Sequence, residues 1–154
     1  MKNEKAIFGA GCFWHVEESF RKLKGVKKTC VGFMGGNVKN PSYKQICNRT
    51  TGHIEVCQVE FDSKQITYEK LLDVFWEIHD PTQENRQGFD IGSQYSSTIF
   101  YFNEKQKKSA EDSLKNEQKK LGQKIATKIL KTKEFYKAEE YHQKYLMKTG
   151  KKVS

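Results

Sequence analysis

The chemistry of this chain is best sought at Gly11-Cys12-Phe13-Trp14, where an apolar run, residues 6–10, gives way to helical spacing. A helix N-terminus carries about half a positive charge and unpaired N–H groups. A thiol placed there can fall from a pKa of about 8.5 into the range of about 3.5–7.5. The thiolate is the nucleophile, so this is a position where a reactive cysteine can be built. Phe13 and Trp14 could line an apolar pocket beside it. The alternative is a structural cysteine buried at a tight strand-to-helix turn, since free cysteine is often buried. A second reactive group comes from strand spacing. Residues 53–61 alternate so that Glu55, Cys57, Val59 and Phe61 share one face. A carboxyl buried among apolar groups has a raised pKa and can give a proton near neutrality. A glutamate facing water from an edge strand is the alternative.

The elements that must position these groups follow from periodicity. Residues 6–10 form a short buried strand, and Gly9 and Gly11 turn the chain out of it. Phe13, Val16, Phe20 and Leu23 make one helical stripe, closed by Gly25. Trp14 lies off that stripe. Strands are expected at 29–34 and 53–61, separated by a long loop punctuated by Gly35-Gly36 and Asn40-Pro41. An amphipathic helix spans 67–79 and stops at Asp80-Pro81. A polar loop, 82–94, precedes a fourth strand at 95–102. Asn103 and Gln106 make a capping box for a surface helix that runs to about Leu121 and offers Ala110, Leu114 and Leu121 to the core. A short strand is expected within 125–130, then an aromatic-rich segment, 135–146, that ends in a short helix. The order strand–helix–strand–strand–helix–strand predicts an α+β, two-layer sandwich. Its core is a ferredoxin-like split βαβ with a mostly antiparallel sheet, followed by an irregular C-terminal segment.

At 154 residues, one domain spanning 1–154 is expected, large enough for a core without disulfide staples. The four cysteines (Cys12, Cys30, Cys47, Cys57) form no CxxC and no paired metal-ligand spacing, so no zinc site is expected. No apolar signal segment and no run of membrane-span length occurs, and a cytoplasmic protein is expected. The net charge of +9 is concentrated at one end: residues 104–154 hold 15 basic and 7 acidic groups, against 13 and 12 in residues 1–103. Such a segment can be a solvated helix face or can attract an acidic partner. Arginine is scarce and no aromatic-interleaved basic stretch occurs, which argues against nucleic acid.

Taken together, the motifs resemble those of the A-type peptide methionine sulfoxide reductases along nearly the whole chain. They are Gly11-Cys12-Phe13-Trp14 with Glu17, Asn40-Pro41-Ser42-Tyr43, Gly52-His53-Ile54-Glu55, His79-Asp80-Pro81-Thr82, Arg86-Gln87-Gly88 with Asp90, Gly92-Ser93-Gln94-Tyr95, and Phe135-Tyr136 with Ala138-Glu139 and Tyr141-His142-Gln143. The resemblance implies reduction of the S epimer of methionine sulfoxide, free or in peptides and oxidised proteins. It makes Cys12 the nucleophile and Glu55 the acid. Tyr43 and Tyr95 donate to the sulfoxide oxygen, Asp90 orients the substrate, and Phe13 and Trp14 cradle its methyl group. No metal or organic cofactor is implied. The reductant is a thiol: glutathione with glutaredoxin, thioredoxin, or dithiothreitol. A monomer is expected. His53, Glu139 and His142 are expected to be supporting residues, and His15 to be exposed.

The chain departs from many relatives in two places. His15 stands where they carry glycine or cysteine, and no cysteine follows Cys57 to resolve a sulfenic acid. Recycling is therefore expected either by an external thiol or through Cys47, which shares a loop with Tyr43. Cys30 and Cys57 lie in strands and are expected to be buried core residues. Two other readings of the same features are a thiol peroxide reductase using Cys12, and a basic interaction module built on residues 104–154.

Overall fold

The computed structural model describes residues 3–36, 39, 41, 42, 45 and 52–149. In chain order the elements are β1 (Glu4–Gly9), α1 (Phe13–Arg21), β2 (Val26–Met34), β3 (Ile54–Phe61), α2 (Tyr68–Glu77), β4 (Arg86–Gln87), β5 (Asp90–Ile91), β6 (Thr98–Tyr101), α3 (Glu104–Lys120), β7 (Lys128–Lys131), β8 (Tyr136–Lys137) and α4 (Tyr145–Thr149). The main sheet runs β7-β6-β1-β3-β2-β8. Its inner strands, β6-β1-β3-β2, are antiparallel at every pairing, as a split βαβ requires. β7 adds to one edge in parallel with β6, and β8 to the other, antiparallel to β2.

Apolar stripes decide which sheet face each helix covers. Phe13, Val16 and Phe20 of α1 and Leu71, Leu72 and Phe75 of α2 are fully buried against Phe8, Val59 and Phe61 of the sheet. Phe8 stacks on Phe20 with ring centroids 5.1 Å apart. Thr67 caps α2 by accepting from the Lys70 amide. α3 lies on the surface as expected, with only Gln106 and Ala110 buried. Its cap is shifted from the usual box. Asn103 accepts from the Gln106 amide, but the Gln106 side chain accepts from Phe102 N–H and donates to the Lys5 carbonyl, tying α3 to β1. A smaller cluster on the other sheet face, including Ile7, Met34, Val56 and Phe100, is covered by Phe135 of the C-terminal segment. No helix among the described residues is long and apolar enough to cross a membrane.

Several boundaries differ from the expectation. α1 closes at Lys22, before Gly25, because Leu23 N–H already bonds the Phe20 carbonyl; Gly25, at φ 100°, instead turns the chain into β2. The fourth predicted strand starts only at Thr98, and Tyr95 belongs to a 3-10 turn, Ser93–Tyr95. The loop at 82–94 contains the β4–β5 hairpin, whose two-residue strands are too short to show a period. Cys57 is fully buried, but Cys30 is half-exposed because it points to the sheet face opposite Val31.

His79 joins three of these elements just past α2. Its Nδ1 faces the Phe75 carbonyl at 2.6 Å and must donate, so Nε2, 2.7 Å from Ser97 Oγ, accepts. Ser97 in turn bonds Thr127 at 2.7 Å. Burial pushes the imidazole down from 6.5 to about 4. The neutral ring is the one the fold holds, so its contribution is complete above pH 6.5 and is lost as pH falls toward 4. Thermal unfolding from pH 7 to 4 should therefore show a loss of stability in wild type that is smaller in His79→Gln. Parallel curves for the two proteins would refute this.

Candidate active site

Cys12 occupies the N-cap position of α1. Its carbonyl accepts from the amides of His15 (3.1 Å) and Val16 (3.3 Å). The thiol is half-buried and faces the backbone N–H groups of Trp14 and His15, which favour the thiolate. They do not prevail. Burial first, and then the charges of Glu55 and Asp90, push the thiol up to about 12. The lowering expected from the helix N-terminus is thus overturned, because loss of water around sulfur outweighs two backbone N–H groups. Cys12 rests as a thiol.

Glu55 is fully buried on β3, opposite Phe33 of β2, and faces α1. Its Oε1 accepts from Phe13 N–H at 3.2 Å, while Oε2 is buried with no hydrogen-bond partner among the described residues. Burial pushes the carboxyl from 4.5 up to about 8; the Phe13 amide pulls it down, and Asp90 adds to the rise. At neutral pH this group is a carboxylic acid beside the thiol's helix. That protonation state also removes the charge that most opposes Cys12 ionisation after burial itself.

A cavity of about 540 Å³ opens over Cys12. Its walls include Ala10 and Trp14 beside the cysteine, Phe89 and Asp90 from the β4–β5 hairpin, and Leu146 of α4. Gln87 holds the hairpin in place by accepting from Asp80 N–H (2.8 Å) and donating to the Asp80 carbonyl (2.9 Å). Gly11 is required beside it. Its φ is 99°, and a Cβ there would meet the Gln87 side chain at 2.9 Å. The turn before the nucleophile and the hairpin that carries Asp90 therefore fit against each other.

The C-terminal segment fixes the Trp14 wall. The indole N–H donates to His142 Nδ1 at 2.9 Å, and the indole stacks on Tyr145 with centroids 3.9 Å apart. Burial holds His142 below its ordinary pKa, which keeps Nδ1 free to accept. Glu17, also buried, reaches from α1 to accept from Thr29 O–H (2.8 Å) and Lys144 N–H (2.5 Å). Gln143 meets β2 like a strand residue, accepting from Val31 N–H and donating to the Val31 carbonyl.

The structure thus brings Cys12, Glu55, Trp14 and Asp90 together. Phe13 is fully buried against Phe33 and His142, behind the cavity wall and not on it. Tyr95 is half-buried on a turn that packs against β3. Tyr43 and Cys47 lie outside the described residues. His53 is buried and accepts from Gly36 N–H. His15 is half-buried and bonds the Ile78 carbonyl, so its expected exposure is corrected. Sequence reasoning gave no separate role to Gln87, Phe89 or Leu146. The available signals were the glycine before Cys12 and an aromatic in a polar loop. No group of metal-ligating side chains occurs among the described residues.

Known proteins share this sequence pattern and this fold. Residues 4–154 match the family model described as peptide methionine sulfoxide reductase. Peptide methionine sulfoxide reductase MsrA of Methanococcus maripaludis (strain C7) is 58% identical over 145 residues, covering 94% of this chain and 92% of that protein. The crystal structure of Mxr1 from Saccharomyces cerevisiae in reduced form has a TM-score of 0.94 and 38% identity, covering 99% of this chain and 89% of that one. Mxr1 in complex with Trx2 matches with a TM-score of 0.68 and 28% identity, covering 94% and 85%.

A carboxyl raised from 4.5 to about 8 costs the fold stability as pH rises across that window, because the unfolded chain releases the proton first. Glu55→Gln keeps an acceptor for Phe13 N–H and carries no charge. At pH 7 it should stabilise the protein by about 2–3 kcal/mol, and its stability should fall less than that of wild type between pH 5 and 8. Denaturant unfolding across pH tests this; a less stable glutamine variant at pH 8 would contradict the buried acid.

Proposed function

The chain belongs to the A-type peptide methionine sulfoxide reductases, oxidoreductases that reduce methionine sulfoxide to methionine with a thiol reductant, and from that premise we propose that Cys12 and Glu55 carry the reaction through a sulfenic acid. The observation that carries this reading is a carboxyl kept protonated by burial at the N-terminus of the nucleophile's helix. Glu55 gives its proton to the sulfoxide oxygen, which makes the sulfur electrophilic. Cys12 sulfur attacks, and its own proton replaces the one Glu55 gave. The sulfur–sulfur bond so formed and the substrate sulfur–oxygen bond both break as oxygen passes to Cys12; the substrate sulfur gains two electrons, Cys12 sulfur loses two, and methionine and Cys–SOH result. Trp14 forms the apolar wall for the methyl group, with Phe13 supporting it from the core. Asp90 orients the substrate, and Tyr95, with Tyr43, donates to the oxygen as charge develops.

Recycling is assigned to an external thiol, which attacks the sulfenic acid to form a mixed disulfide and water; a second thiol then restores Cys12. Glutathione with glutaredoxin or a thioredoxin would serve, and the basic C-terminal third suits an acidic partner. The half-exposed Cys30 and fully buried Cys57 leave Cys47 as the internal alternative. A single-domain monomer in a reducing cytoplasm fits this chemistry.

Separated S and R epimers, dithiothreitol and purified protein test the proposal. Wild type should turn over the S epimer only, and Cys12→Ser should have no activity. Glu55→Gln should slow the reductive half-reaction by about 10²–10⁴-fold. In wild type that rate should decline as pH rises through about 8, where Glu55 ionises. Activity of Cys12→Ser, or a wild-type rate that climbs through pH 8, would overturn these roles.

A further inference from the structure

We propose that Phe89 is a specificity-determining residue that packs against an apolar side chain flanking the methionine sulfoxide, so that the enzyme favours sulfoxides in apolar, unfolded stretches of polypeptide. The inference rests on the preceding reading, in which the sulfoxide enters the cavity over Cys12. Phe89 is fully exposed, yet it forms part of that cavity's wall. A single exposed aromatic is by itself unremarkable on a protein surface. Three observations set this one apart.

The first is that the fold makes no demand for phenylalanine here. Gln87 and Asp90 pair across the hairpin, leaving Gly88 and Phe89 as the turn. Gly88 takes φ 60° while Phe89 is not left-handed. That is the pattern of a type II′ turn, which needs glycine at its first position and places little constraint on the second. The ring packs into neither hydrophobic cluster.

The second is that the turn carrying the ring is tied to the rest of the fold. The hairpin is anchored by the Gln87 bonds to Asp80, by Gly88 N–H to Gln83 Oε1 (2.7 Å) and by Gly92 N–H to the Asn85 carbonyl (2.9 Å). A side chain on an anchored turn can offer area at small entropic cost.

The third is continuity with the site. Asp90, next to Phe89, interacts electrostatically with both Cys12 and Glu55. Leu146 lines the same cavity, and Ile91 and Met147, adjacent in the chain to Asp90 and Leu146, are exposed apolar residues. A methionine sulfoxide side chain reaching Cys12 leaves its backbone and neighbours at a rim bearing these groups. Apolar neighbours gain contact there, whereas glycine gains none. Methionines with apolar neighbours are normally buried, so the preference selects segments that have lost their fold.

The test compares kcat/KM for the S epimer in two pentapeptides, one with leucine and one with glycine on both sides of the methionine sulfoxide, in wild type, Phe89→Ser and Phe89→Leu. Wild type should favour the leucine-flanked peptide by about 5- to 10-fold, through KM. Phe89→Ser should lose most of that ratio and Phe89→Leu should keep most of it. Equal use of both peptides by wild type, or an unchanged ratio in Phe89→Ser, would overturn the proposal while leaving Cys12 chemistry intact. Failure of wild type to reduce either peptide, or the free amino acid, would instead remove the reading beneath it.

Discussion

The hydrogen bond from Phe13 N–H to Glu55 joins the two halves of the site. It runs from the first turn of α1 to the middle strand of the sheet, between residues 42 positions apart. Its donor is a first-turn amide whose partner must come from outside the helix, and its acceptor is a fully buried carboxyl. Were the carboxyl better solvated, it would ionise and have no proton to give. Were it without the amide, its burial would leave both oxygens unpaired. The site therefore depends on a balance: one bond to fix Glu55 and burial to keep its proton. In the mechanism proposed above, Cys12 follows the same logic, resting as a thiol until a substrate arrives to accept the acid's proton.

That balance requires water to be excluded on several sides. β2 and β3 hold Glu55 opposite Phe33, both fully buried. The Gly11 turn admits the Gln87 hairpin at a separation no Cβ would permit. The C-terminal segment closes the other flank through His142 on Trp14, Glu17 on Lys144 and Gln143 on β2. These are polar contacts between residues far apart in the chain, and each pairs a polar group of a buried or half-buried residue. The sheet supplies the scaffold, while the segment after β8 sets the position of the Trp14 wall.

Much of the fold could be read from periodicity. The stripes of α1 and α2 and the alternation of β3 placed Phe13, Phe75 and Glu55 on the faces they occupy. β6 was drawn too long because Tyr95 and Ser96 continue an apolar-looking run into a 3-10 turn. The hairpin was hidden because two-residue strands have no period. The site was legible in residue identity and in the raised pKa of Glu55, but not in the energetics of Cys12. Helix-terminus reasoning gave the wrong direction for Cys12, since the burial that raises it is set by the tertiary fold and leaves no local pattern. The Glu17, His142 and Gln143 contacts link positions more than a hundred residues apart and leave no local pattern. Tyr43 and Cys47 lie outside the described residues, so their roles rest on motif resemblance.

Most directly at issue is whether Glu55 is protonated in the resting enzyme. Difference infrared spectroscopy of wild type against Glu55→Gln, titrated from pH 5 to 10, isolates the carbonyl stretch of this one carboxylic acid. A band present at pH 7 and lost with a midpoint near 8 is the expected result. A carboxylate already formed at pH 6 would contradict the proton-donor role and with it the mechanism built on that role.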